Sequence, residues 1–198
     1  VQPFIWRRGL DFGAIQEIRG LSQRIRGHYS KGQDFGPGYD LKRGRGGIRE
    51  CEFFAQIHQL IHGGREPGLR VAATSDAIAA LAAAGRIDPK QAEELNSAYR
   101  LYRRIEHRLQ MIDDRQTHNL PLDSAELDAV AQLDGLTSGT VLLDLLQPHV
   151  SGVEHIYDAL DGSPADNVAT EGDALRARLM AAGFDPADDA VQRVTEWR

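Results

Sequence analysis

Asp88-Pro89-Lys90-Gln91-Ala92-Glu93-Glu94-Leu95-Asn96-Ser97-Ala98-Tyr99-Arg100-Leu101-Tyr102-Arg103-Arg104-Ile105-Glu106-His107-Arg108-Leu109 is the stretch that decides the fold class. It opens with three helix-start signals. Asp88 can accept from the first free amides, Pro89 has the fixed φ that suits a first helical position, and Gln91 stands at the capping-box position. Leu95, Tyr99, Tyr102, Ile105 or Glu106, Leu109 and Ile112 then recur at spacings of three and four, predicting one helix of about 25 to 30 residues. A helix that long with one apolar side needs several neighbours. The chain is therefore expected to be all-α, a multi-helix bundle with this helix at its centre. Arg103, Arg104, Glu106, His107 and Arg108 read as a solvated or ion-paired face.

The neighbours can be read outward. Upstream, Phe12, Ile15, Ile18, Leu21 and Ile25 keep the helical period from Asp11 to about His28-Tyr29. Gly32, Gly36, Pro37 and Gly38 punctuate Ser30 to Tyr39, which predicts a mobile loop. In a second helix Ile48, Phe54, Ile57 and Ile61 form the apolar side, and Arg49, Glu52, Gln56 and Gln59 a polar stripe. Gly63-Gly64 is expected to end it in a left-handed cap, with Arg65-Glu66-Pro67-Gly68 as the turn. A third helix runs from Ser75 through Ile78 and Leu81 to Gly85. Downstream of the long helix, Asp123-Ser124-Ala125-Glu126 is a capping box for a helix reaching Leu133. Ser138 caps a last long helix through Leu142, Leu146, Val150, Val153 and Leu160, where Pro148 should introduce a kink. From Asp161 to Asp173 the composition turns to Gly, Ser, Pro, Asp and Asn, a linker signature. The expected organisation is thus 1–39 ahead of the bundle, 40–160 the bundle, and 161–198 a linker with further helix.

Composition sets outer bounds. With 41% hydrophobic and 26% charged residues the chain can pack a core. Its net charge of −6 argues against nucleic acid as a partner, and a single cysteine fits a reducing cytoplasm. No apolar run approaches the roughly 20 residues of a membrane span.

Chemistry concentrates between Asp40 and Glu50, where Lys42, Arg43, Arg45 and Arg49 occur with no acid among them. Gly44, Gly46 and Gly47 allow the backbone to bend there, and a helix begins directly afterwards. Its free amides and positive dipole end, with the four cations, could hold an anion such as phosphate. Glu50 and Glu52 share that first turn and could offer oxygens to a metal or a substrate cation. The same pattern also suits a tight helix start with solvated arginines. His58 and His62 have a spacing compatible with two metal ligands but lack a third. Cys51 reads as core, or as a thiol activated by nearby cations.

Lys42-x-Gly44-x-Gly46-Gly47-Ile48-Arg49-Glu50-x-Glu52-Phe53, followed by Gln59-Leu60-Ile61-x-Gly63-Gly64-Arg65-Glu66-Pro67-x-Leu69, resembles the glutamine synthetase adenylyltransferase family. These are bifunctional enzymes that attach AMP to glutamine synthetase and remove it. Pro3-Phe4-Ile5-Trp6-Arg7-Arg8, Arg103-Arg104-x-Glu106-His107-Arg108-Leu109-Gln110 and Gln116-Thr117-His118-x-Leu120-Pro121 extend the likeness. The Gly-Gly-Ile-Arg-Glu and Gly-Gly-Arg-Glu-Pro pair is similar to the N-terminal, adenylyl-removing half. Cys51 stands where the family usually has an aliphatic residue.

The resemblance implies phosphorolysis: AMP passes from a tyrosine of glutamine synthetase to inorganic phosphate, giving ADP. It implies Mg2+ and ATP or ADP as cofactors, none held tightly by this chain. Its implied partners are glutamine synthetase, a PII-type signalling protein and a nucleotidyltransferase domain. Catalytic domains of the family resemble nucleotidyltransferases with a Gly-Ser turn and an Asp-x-Asp pair that holds magnesium. That combination is absent here, since Asp113-Asp114 and Asp188-Asp189 are adjacent. The chain is expected to be a fragment, inactive alone, with the end of the catalytic domain and a mobile loop in 1–39, the helical domain in 40–160, and a linker and the start of the family's central connector, which Gly183-Phe184-Asp185-Pro186 resembles, in 161–198. By the same resemblance Lys42, Arg43, Arg45, Gly46, Gly47 and Arg49 would contact phosphate or nucleotide, with Glu50 and Glu52 in support. Arg65 and Glu66 are secondary candidates, and no metal ligand is assigned. The alternative is a helical module that docks glutamine synthetase or a PII-type protein without taking part in the chemistry.

Overall fold

In the computed structural model, which describes residues 5–7, 17, 20, 24, 34–113 and 117–160, the order is α1 (Ile48–His62), a 3-10 turn (Pro67–Leu69), α2 (Thr74–Ala83), α3 (Pro89–Asp113), α4 (Ser124–Leu133) and α5 (Gly139–Leu160). The all-α expectation holds. Most of the helix expected over 11–29, and all of 161–198, lie outside the described residues; Glu17, Gly20 and Arg24 are helical.

The long helix starts where the sequence places it, with the Asp88 carboxylate accepting from the amides of Lys90 at 2.7 Å and Gln91 at 3.3 Å. It packs against each of α1, α2, α4 and α5. Leu95, Ala98, Tyr102 and Ile105 on its inner side are fully buried. Ile105 and Glu106 both turn inward, and Glu106 is only 4% exposed. The Asp123 carboxylate caps α4 through the amides of Ala125 and Glu126, and Ser138 Oγ accepts from Val141 at the start of α5. Pro148 lies within α5, which continues through it to Leu160.

Helix ends follow the backbone. Gly85 (φ +66°) and Gly135 (φ +79°) take the left-handed conformation that closes α2 and α4, with Arg86 N–H donating to Leu81 O and Leu136 N–H to Ala131 O. The cap expected at Gly63 is different. Gly63 is right-handed (φ −64°), and Arg70 Nε donates to its carbonyl at 2.7 Å. Glycine is required there because a Cβ would lie 2.5 Å from the Gln59 carbonyl oxygen and 2.8 Å from the Trp6 ring. Gln59 also leaves the polar stripe: it is buried, and its amide donates to Leu69 O and Val71 O at 2.6 and 2.8 Å.

The loop ahead of α1 is held on two sides. Gly38 N–H donates to Leu120 O, Leu120 N–H to Tyr39 O, and Leu41 N–H to His118 O, around an antiparallel bridge between Asp40 and Asn119. Tyr39 is 2% exposed, and its hydroxyl donates to Arg45 O at 2.6 Å. The described part of the expected mobile loop, Asp34 to Tyr39, is thus tied to the chain after α3. On the other side Gly46 (φ +79°) touches α5, where a Cβ would fall on the Val150 carbonyl oxygen. No helix among the described residues is long and apolar enough to cross a membrane.

Gly46→Ala combines a left-handed backbone with a clash against main chain. It is expected to lower stability by about 2–4 kcal/mol. Gly68→Ala, with nothing within 4 Å of the added carbon, should stay within about 0.5 kcal/mol of the parent. Urea denaturation of both variants checks this pair.

Candidate functional site

The amides expected to meet an anion are already bonded within the chain. Asp40 Oδ1 accepts from Lys42 and Arg43 N–H at 2.9 and 2.8 Å, and Gly44 N–H donates to Asp40 O. Gly46 N–H donates to Glu50 Oε2 at 2.9 Å. Gly47, Ile48 and Arg49 donate to Gly44, Leu41 and Lys42 carbonyls. Glycine at 44 and 47 answers to packing, because a Cβ would meet the Tyr39 ring at one and the Leu41 carbonyl at the other. Any anion here is therefore left to side chains.

The four cations of the loop diverge. Arg45 turns to α5 and pairs with Glu154 at 2.7 Å and Asp158 at 2.9 Å. Arg49 lies over the Phe53 ring at 5.8 Å, and Arg43 is exposed. Lys42 turns the other way, toward α3. Of the two acids, Glu50 is buried against the Gly46 amide, and Glu52 accepts from the Tyr99 hydroxyl at 3.5 Å. Arg65 is exposed, and Glu66 pairs with Arg86 at 2.6 Å.

Where Lys42 points, three segments meet. Its Nζ is 3.8 Å from Glu106 Oε1, Arg103 Nη1 donates to Glu106 Oε2 at 2.5 Å, and His118 Nδ1 is 2.9 Å from Oε1. With His107 and Gln110 these residues line a cleft of about 270 Å³. Glu106 Oε1 and His118 Nδ1 are buried and close, yet neither makes a hydrogen bond of good geometry. A buried carboxylate ringed by a lysine, an arginine and two histidines makes a polar cleft suited to an oxyanion. Reading the α3 charges as a solvated or ion-paired face missed this cluster, although Arg104 and Arg108 fit that reading through Asp134 at 2.9 and 3.7 Å. The available signal was an acid, Glu106, on the apolar line of a long helix.

The remaining candidates are structural. His58 and His62 stack at 6.3 Å, and His58 Nδ1 lies 3.0 Å from Phe54 O. Desolvation holds the pKa of both below the ordinary histidine value. Among the described residues no three His, Cys, Asp or Glu side chains group around a metal position. Cys51 is fully buried, and burial pushes its thiol pKa up, so the activated-thiol reading gives way to core packing.

Glu50→Ala leaves the buried Gly46 amide without its acceptor and should cost about 1–3 kcal/mol in chemical denaturation. Glu52→Ala should cost less than about 1 kcal/mol. Because folding lowers the His58 pKa, the unfolded chain takes up the proton first. Its contribution is complete above the unfolded value of about 6.5 and is lost as pH falls below it. Tm measured across that range should fall less steeply in His58→Gln than in the parent.

Known proteins agree with the motifs that meet here. A family model described as GlnD PII-uridylyltransferase matches residues 18–160. Relatives named bifunctional glutamine synthetase adenylyltransferase/adenylyl-removing enzyme include those of Agrobacterium fabrum, 40% identical over 98% of this chain, and Burkholderia mallei, 40% identical over 99%. That of Caulobacter vibrioides is 52% identical over 68% of the chain. The matches cover 21%, 22% and 14% of those relatives, so the chain spans about a fifth of their length or less. The chain therefore belongs to the family that this model describes, and its likeness to the bifunctional glutamine synthetase adenylyltransferase/adenylyl-removing enzymes runs over nearly its whole length.

Proposed function

We propose that this chain is the helical domain of the adenylyl-removing half of such an enzyme, and that its cleft handles phosphate charge during phosphorolysis. In this reading a phosphate oxygen bonds to the AMP phosphorus as the tyrosine–phosphorus bond breaks, giving ADP and a free tyrosine hydroxyl. Magnesium is held by carboxylates that this sequence does not contain, and the whole acts in the cytoplasm on glutamine synthetase. The observation that carries the reading is the convergence of Lys42, Arg103 and His118, from three family-like motifs, on one cleft. Such chemistry asks for positioning and electrostatic stabilisation more than for covalent participation.

Calorimetric titration with inorganic phosphate and with ADP, with and without magnesium, tests it. Phosphate binding is expected to weaken roughly tenfold in Lys42→Ala or Arg103→Ala. Identical binding in parent and variants would remove the cleft from the reaction. A longer chain carrying the nucleotidyltransferase domain should lose phosphate-dependent AMP removal in the same variants.

The docking reading has its own observation. Leu122 and Met111 are 82% and 64% exposed, and Ile112 and Leu122 line one groove beside Leu120 and Pro121. Leu122→Asp should weaken binding to glutamine synthetase or a PII-type protein while leaving the thermal melt unchanged. Unchanged affinity for both would set this second reading aside.

A further inference from the structure

We infer that the exposed side of α3 docks an acidic segment of the substrate protein, so that a tyrosine flanked by aspartate or glutamate is the one brought to the cleft. The inference deepens the phosphate reading above and rests on it for the reacting residue. It starts from a one-sided distribution of charge. Between Asn96 and Gln110 the exposed residues of α3 are Ser97, Arg100, Arg103, Arg104 and His107, with Arg108 half-buried beside them. The stretch has one acid, Glu106, and that side chain is buried. In a chain of net charge −6 this is a local reversal of sign.

Only part of this charge is met from within. Arg103 and Lys42 pair with Glu106, and Arg104 and Arg108 share Asp134, whose side chain is 4% exposed. Arg100 has no ion-pair partner among the described residues. Arg100, Arg104 and His107 recur at spacings of four and three, so they form one line along the helix with Arg103 beside it. Arg103 and His107 line the phosphate cleft, whereas Arg100 and Arg104 line an open groove of about 620 Å³ between α3 and α5. Cleft and groove therefore adjoin on α3, and the cations run from one into the other. Leu101 and Leu145 give the groove apolar walls, α5 adds His149, and Glu93 stands at its far end, about two turns before Arg100. From Arg100 to Gln110 is about 15 Å of helix, the reach of about five extended residues. An acid within that distance of the tyrosine meets the cations while the phosphate group lies in the cleft. Nucleic acid needs a longer basic track than this.

Calorimetry on the 198-residue chain with inorganic phosphate and two synthetic peptides tests this. Each peptide carries a central O-adenylyl tyrosine, flanked in one by glutamates and in the other by glutamines at the same positions. The glutamate peptide is expected to bind at least about fivefold more tightly at low salt, and the gap should close as ionic strength rises. Arg100→Glu, at an exposed position without a partner, should bring the two peptides within about two-fold of each other while inorganic phosphate still binds. Lys42→Ala should weaken both peptides and keep their ratio. With inorganic phosphate bound by the parent, equal affinities for the two peptides, binding of neither, or a gap that persists in Arg100→Glu would overturn acidic docking and leave the phosphate reading standing. A single-stranded RNA of similar charge that binds more tightly than the glutamate peptide would overturn it in favour of nucleic acid. The comparison of peptides uses the parent chain, so it decides the matter even if a variant fails to fold. Binding of neither peptide nor inorganic phosphate would overturn the docking together with the phosphate reading itself.

Discussion

Burial of one side of α3 along nearly its whole length is the constraint to which the other elements answer. Four helices close over it, and their apolar residues reach it from both ends. A charged residue on such a side is tolerated only where charged partners come to it. Glu106 is that residue. Its partners arrive from the loop ahead of α1 and from the segment after α3, so the pairing of residues 38–41 with 118–120 belongs to the same arrangement as the core.

Close approach of backbone to backbone makes this possible. Gly44, Gly46 and Gly47 let the loop lie against the Tyr39 ring, the α5 main chain and the Leu41 carbonyl at distances that no side chain would allow. The amides of the loop are thereby occupied, and what a basic, glycine-rich segment can offer a ligand is reduced to the direction of its side chains. Arg45 is taken by Glu154 and Asp158 on the surface of α5, an exposed pairing that contributes at most about 1 kcal/mol to stability but fixes which way the loop faces. Lys42 emerges on the opposite side, at Glu106. The site is consequently a product of side chains from three segments.

Local rules account for what was legible in the sequence. The period of α3, the caps at Asp88, Asp123 and Ser138, and the helix start after Gly47 are set by hydrogen bonds and contacts within a few residues, so composition and spacing suffice to place them. The family motifs were legible for the same reason. Spacing alone mistook Gln59 for a surface residue and Gly63 for a left-handed cap. In each case a distant group decides the outcome: the Leu69 and Val71 carbonyls for the first, Trp6 and Arg70 for the second.

The sequence by itself therefore determined an all-α bundle, the position of its long helix and the family to which its motifs point. Only the tertiary structure decided that Lys42 parts from the arginines beside it and that Glu106 is a buried hub rather than a solvated charge. It also decided that His118 lies beside that hub. Helical periodicity states which side of an element is apolar, whereas the partner of a buried charge is chosen by chain segments far apart in sequence, brought together by the packing of the whole.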